Sequence, residues 1–210
     1  MKDLTTTLYF VRHGETDYNV RSIVQGHLID CALNDAGRRQ AAVVAERLRS
    51  VPFSSIYSSP LRRARETADV ISAQHPGVPV GHLAGLSEMS WGVIEGQPFG
   101  EQNAALFARF EEAWAAGRFE DRVEGGESIA DVRDRALAAL TTMLAAGEGG
   151  TIGVVTHGRL LRVLLSSILD GFDLTRMDEL LHRNTAVSRV TYTHDTFSAD
   201  LLQDATHLES

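Results

Sequence analysis

The chain has a single cysteine, Cys31, in 210 residues. No disulfide can form within it, and a reducing compartment is the expected setting. No basic or histidine residue beside Cys31 activates its thiol, which is read as structural. Positive charge is also scarce: 20 lysines and arginines face 28 acidic residues, a net charge of −8. That balance argues against a nucleic-acid partner or an anionic membrane. The amino terminus lacks the basic stretch, apolar core and cleavage site of a secretory signal. The apolar run at residues 160–169 is broken by Arg162 and two serines and is too short for a bilayer. These absences point to a soluble, cytoplasmic protein.

What is present is an ordinary globular composition, 43% hydrophobic and 23% charged. It suits one domain over residues 1–210. The arginines are clumped at Arg38-Arg39 and at Arg62, Arg63 and Arg65, which suits a small anionic ligand better than a polyanion. Leu8-Tyr9-Phe10-Val11 reads as a buried strand running into Arg12-His13-Gly14-Glu15-Thr16. Residues 17–33 read as an ordered loop. Asn34 then caps a helix over residues 35 to about 50. A strand over 53–58 leads to Ser58-Ser59-Pro60, read as a serine cap for a helix over 61–73. Arginines at that helix start oppose its dipole unless an anion binds there.

A short strand over 78–82 and an apolar, carboxylate-bearing loop over 86–96 follow. Residues 100–119 have helical periodicity, with Leu106, Phe107, Phe110 and Trp114 on one stripe. This stretch is read as an insertion at about 97–124 in the same domain. Gly125-Gly126-Glu127-Ser128 turns into a helix whose Ser128 and Asp131 form a capping box. Residues 151–156 make a fourth strand ending in His157-Gly158, followed by a helix over 160–169 and a terminal hairpin over 186–202. Strands alternating with helices predict an α/β fold, with helices on both faces of a mostly parallel sheet made mixed by the hairpin.

Two strands thus end in His-Gly, at His13 and His157, and Arg63 follows a third strand. Parallel strand ends share one edge, so these side chains can meet there. A zinc site normally needs a third ligand, which is absent at matching spacing, and the arginines would repel the dication. No G-x-S-x-G elbow and no G-x-x-x-x-G-K-[ST] loop is present. Histidine, arginine and carboxylate together suit phosphoryl transfer. Arg12 and Arg63 would grip phosphate, a protonated His157 would add charge, and an unprotonated His13 would attack phosphorus.

The sequence resembles the histidine phosphatase superfamily, the phosphoglycerate-mutase-like proteins, over nearly its whole length. The likeness rests on Arg12-His13-Gly14-Glu15-Thr16, on Asn19 and Gln25-Gly26, and on the stretch from Ser58 to Ala68 with Arg63 before Ala64. It continues in Leu86-Ser87-Glu88 and in Val155-Thr156-His157-Gly158. The resemblance implies a three-layer αβα sandwich, with His13 as nucleophile and Glu88 as general acid. Arg12, Arg63 and His157 would form the phosphate pocket, with Asn19, Gln25 and Gly26 as further phosphate contacts, and no metal or other cofactor would be needed. Ile94 stands before Glu95-Gly96 where the family often has tryptophan. The insertion is short and aromatic, and the sequence's one lysine is Lys2, whereas the mutase branch has a longer, lysine-bearing insertion. A phosphatase of a small phosphorylated metabolite is therefore expected. A cofactor-dependent phosphoglycerate mutase and a catalytically silent phospholigand-binding protein are the alternatives. Phe99, Phe107, Phe110, Trp114 and Phe119 are the candidate pocket walls.

Overall fold

A computed structural model describes residues 4–209; Lys2 lies outside them. The strands are β1 (Thr6–Arg12), β2 (Ser55–Ser58), β3 (Val80–His82), β4 (Thr151–Thr156), β5 (Val187–Thr193) and β6 (Thr196–Asp204). The helices are α1 (Asp17–Val20), α2 (Asp35–Leu48), α3 (Arg62–Ser72), α4 (Glu101–Ala115), α5 (Ile129–Ala146) and α6 (Gly158–Ile168). The strands form one sheet in the order β3-β2-β4-β1-β5-β6. β1 to β4 pair in parallel, while β5 runs antiparallel to β1 and to β6. The mixed sheet is thus as the alternating pattern predicts.

Strand alternation divides the core between two faces. Leu8, Phe10, Ile152 and Val154 pack with α5 and α6 residues such as Val132, Leu140, Leu160 and Leu164. Val11, Ile56 and Val155 pack on the other face with Val44 and Leu48 of α2 and Ala64, Ala68 and Ile71 of α3. Sheet and helices make three αβα layers. The β5–β6 turn places His194 and Asp195 at φ of 50° and 59°, the left-handed pair that matches strand twist in a two-residue hairpin.

Several local expectations need correction. Residues 17–20 are helical, because Thr16 and Asn19 cap each other's backbone and supply a short helix start inside the expected loop. The serine cap of α3 is not formed. Leu61 occupies the cap position without a side-chain bond, and Asp30 from a distant loop accepts from the Arg62 N–H instead. A carboxylate from elsewhere in the chain thus relieves the dipole conflict. α6 begins at Gly158, directly after His157, and α4 ends at Ala115, four residues before Phe119. By contrast, Asn34 caps α2, and Ser128 and Asp131 form their capping box.

Candidate active site

The register of β1 against β4 pairs Arg12 with Thr156, so the next residues, His13 and His157, emerge side by side. The His13 N–H donates to the Thr156 carbonyl at 2.9 Å, and the imidazole centroids lie 5.1 Å apart. β2 flanks β4, and Ser59 just beyond it donates its backbone N–H to Val155. The chain then enters α3, which carries Arg63 into the same edge, fully buried. Sheet order alone therefore brings three sequence-distant segments to one spot.

The two histidines differ in their hydrogen bonds. His13 Nδ1 lies 2.6 Å from the Gly14 carbonyl, which can only accept. Nδ1 must then carry the proton, leaving Nε2 with its lone pair. His157 instead has Nε2 at 2.7 Å from the Ser59 hydroxyl, with Nδ1 buried and unpartnered. Burial, then the Arg63 guanidinium, holds both imidazoles well below the ordinary histidine range. Without a ligand, burial and the neighbouring guanidinium groups favour the neutral form of His157, and the charge expected of it has to come from a bound phosphate. Arg12, lowered by burial to about 10, remains cationic at neutral pH.

Arg63 donates to the carbonyls of Ile29 (2.8 Å) and Gly26 (3.2 Å), and Arg12 donates to the His182 carbonyl at 2.6 Å. The Nε atoms of both arginines are buried without a partner. Buried donors are almost always satisfied. Among the described residues, the unpartnered buried nitrogens of Arg12, Arg63 and His157 are therefore exceptions that a bound acceptor would satisfy.

Glu88 is buried opposite, with its carboxylate accepting from the backbone N–H groups of Met89 (2.9 Å), Leu160 (3.1 Å) and Arg159 (3.1 Å). It thereby covers donors at the start of α6 that the helix leaves open. Arg135 braces the Glu88 loop by donating to the carbonyls of Gly85, Ser87 and Glu88 while it pairs with Glu127. Glycine is required where this loop meets the Gly125-Gly126 turn. Gly92 has φ of +53°, and a Cβ there would lie 2.0 Å from the Glu124 carbonyl oxygen.

A cavity of about 220 Å³ is lined by Arg12, His13, Asn19, Gln25 and Glu88, with Trp91, Phe99, Arg159 and Arg162 on its walls. Arg63 and His157 are buried outside that lining. Asn19 and Gln25 use their side-chain carbonyls on Thr16, which leaves their amide NH₂ groups without a partner among the described residues. Gly26, like Arg63 and His157, is not among the residues that line the cavity. Its carbonyl accepts from Arg63, and a Cβ would lie 2.2 Å from Glu95 Oε1. Glu95 also accepts from the backbone of Leu28 and Trp91, tying the first loop to the Glu88 loop.

Of the five candidate aromatic walls, Phe99 alone lines the cavity. Phe107 stacks on it at 4.5 Å, while Phe110 and Trp114 are core. Sequence reasoning missed Ser59 as a partner of His157, and also Arg159 and Arg162. Their three-residue spacing after His157-Gly158 was the available signal. Among the described residues no three His, Cys, Asp or Glu side chains group as metal ligands would. No helix among them is long and apolar enough to cross a membrane.

Burying neutral histidines has a thermodynamic consequence. His13, His157 and His182 all have folded values below the unfolded value of about 6.5, with His182 lowered by burial to about 4. Below about pH 6.5 the unfolded chain binds protons that the fold excludes, so stability falls by up to about 1.4 kcal/mol per pH unit for each such group. The urea midpoint of the ligand-free protein should therefore drop clearly between pH 7.5 and 5.5. An unchanged midpoint would mean that the buried imidazoles take up protons within the fold.

Known proteins match this architecture. The sequence model described as "Histidine phosphatase superfamily (branch 1)" matches residues 8–205. A protein named probable phosphoglycerate mutase GpmB, from Salmonella choleraesuis, is 34% identical over 212 residues, covering 97% of this chain and 95% of its own. A mycobacterial glucosyl-3-phosphoglycerate phosphatase solved with VO3 has a TM-score of 0.82 and 29% identity, over 95% of this chain and 99% of that one. Phosphoserine phosphatase from Entamoeba histolytica, solved with 3-phosphoglyceric acid, has a TM-score of 0.83 and 28% identity, over 97% and 99% of the two chains.

Proposed function

Because the chain belongs to branch 1 of the histidine phosphatase superfamily, we propose that it hydrolyses small phosphomonoesters through a phosphohistidine on His13. The observation that carries this reading is the hydrogen bond from His13 Nδ1 to the Gly14 carbonyl. It leaves Nε2 as a lone-pair nitrogen on a cavity-lining side chain, beside arginines whose buried Nε atoms await an acceptor.

In the first step Nε2 forms a bond to phosphorus as the ester P–O bond breaks. Arg12 and Arg63 hold the non-bridging oxygens, and the departing oxygen takes its proton from Glu88. In the second, water attacks phosphorus, the N–P bond breaks, Glu88 takes the water's proton and inorganic phosphate leaves. The neutral state of His13, imposed by burial and Arg63, suits a nucleophile that must be unprotonated.

The phosphatases among the similar structures and the short insertion without lysine support hydrolysis. The relative named as a probable mutase supports the second reading, transfer back onto the product. Incubation with 3-phosphoglycerate, with and without a bisphosphoglycerate primer, decides between them. Net phosphate release is the expected result; conversion to 2-phosphoglycerate without release would establish the mutase instead. Absence of any acid-labile phosphohistidine across a broad phosphoester panel would favour a silent phospholigand-binding protein.

A further inference from the structure

Ser59 is a fully buried serine that none of these steps uses. It lies between β2 and α3, where Pro60 disfavours the helical conformation for it. Its backbone is held on both sides. The N–H donates to the Val155 carbonyl at 3.0 Å, and the carbonyl accepts from the Ser58 hydroxyl at 2.9 Å. Its hydroxyl oxygen accepts from the Leu61 N–H at 3.2 Å, which occupies one lone pair. The same oxygen lies 2.7 Å from His157 Nε2. Among the described residues the hydroxyl has no other hydrogen-bond partner. A serine kept only to cap the Leu61 turn would need an acceptor oxygen and would leave its own proton without use.

Where that proton goes fixes the proton on the imidazole. A hydroxyl has one donor and two acceptor sites, and a neutral imidazole has one donor and one acceptor. If Nε2 held the imidazole proton, the Ser59 oxygen would accept twice. The Ser59 proton and the Nδ1 lone pair would then both lie buried and unmet. If the hydroxyl donates to Nε2, the imidazole proton sits on Nδ1 and is the one group left open. Unmet buried groups are costly, so the second arrangement wins. We propose that Ser59 is a positioning residue that holds neutral His157 in its Nδ1–H tautomer, so that Nδ1 offers a hydrogen bond to a phosphoryl oxygen before any charge is taken up. This rests on the phosphatase reading of the site. Nδ1 is buried and unpartnered, and so is Arg12 Nε, which lies 3.4 Å from where a Cβ on the next residue, Gly158, would stand. A bare lone pair there would repel the phosphate that the arginines attract. The two histidines thus carry the proton on the same ring nitrogen yet present opposite chemistry: His13 a lone pair for phosphorus, His157 a donor for oxygen.

Nitrogen-15 spectra of the histidine rings in the ligand-free protein, near neutral pH, read the tautomer directly. His157, assigned by the loss of its signals in His157→Ala, should show a protonated Nδ1 and a bare Nε2. A protonated Nε2 in wild type would overturn the proposal, whatever the activity of the enzyme. The kinetic arm is a double-mutant cycle on p-nitrophenyl phosphate. Ser59→Ala should lower kcat/KM about 10-fold when His157 is present, the scale of one lost hydrogen bond, and less than about 2-fold in the His157→Ala background. The same factor in both backgrounds would mean that Ser59 serves only the α3 turn, and would overturn the positioning role. Should Ser59→Ala not fold, the wild-type spectrum still decides. If no ester is hydrolysed, the phosphatase reading fails by itself. The same cycle is then read from the calorimetric affinity for inorganic phosphate, with the same factors expected and equal factors overturning the role.

Discussion

Replacing His13 by alanine should lower turnover of every phosphomonoester by about 10⁴–10⁶-fold, the scale seen when an enzyme loses its covalent nucleophile. The reason lies in the asymmetry between the two histidines. His157 has Nε2 committed to Ser59 and lies buried outside the cavity lining, whereas His13 lines the cavity with Nε2 unprotonated. His13→Ala removes a small part of the buried structure, leaving the Gly14 carbonyl without its imidazole donor, so the fold should persist. Rapid acid quench with phosphorus-labelled substrate should trap label on wild type and none on the variant. If the variant kept turnover within tenfold of wild type on p-nitrophenyl phosphate, another group would have to be the nucleophile. His157→Ala offers the contrast: it should slow the reaction yet still permit labelling at His13.

The parts of the site that are single residues at strand ends were readable from sequence, because periodicity locates strands and parallel topology sends their carboxyl ends to one edge. His13 and His157 do gather there with Arg63, which follows a third strand; Glu88 lies in a loop, and only the family resemblance pointed to it. What escaped was whatever depends on a partner far along the chain. The side chain that meets the open Arg62 N–H of α3 is Asp30, not the adjacent serine, and no local pattern announces a carboxylate arriving from 32 residues away. The motif position of Gly26 also gave no sign of its carbonyl on Arg63 or of the space it leaves for Glu95. The downward shift of His157 was equally hidden, since it follows from burial and neighbouring charge. Periodicity put Trp114 on a helical stripe, but it announced neither its place in the core nor the cation-π contact by which it fixes Arg159 at the cavity wall.

Glu88→Gln should separate proton transfer from mere support. Loss of a general acid costs about 10²–10⁴-fold, but only where the leaving oxygen needs a proton. Alkyl phosphates such as glycerol 3-phosphate should suffer that full loss. p-Nitrophenyl phosphate, whose leaving group departs as a stable anion, should lose far less in the phosphoryl-transfer step. The alternative is structural. Glu88 accepts from three backbone N–H groups, those of Met89, Arg159 and Leu160, and a glutamine must turn its NH₂ toward at least one of them. If Glu88 served only to anchor the start of α6, that mismatch would displace Arg159 and slow both substrates by the same factor. Arg135→Lys supplies the matching control, since it weakens the brace on the Glu88 loop while leaving the carboxyl group itself in place. A leaving-group dependence that is steep in Glu88→Gln and shallow in Arg135→Lys assigns the proton to Glu88. Equal losses on both esters in Glu88→Gln would remove it from the chemistry and leave it as the cap of α6.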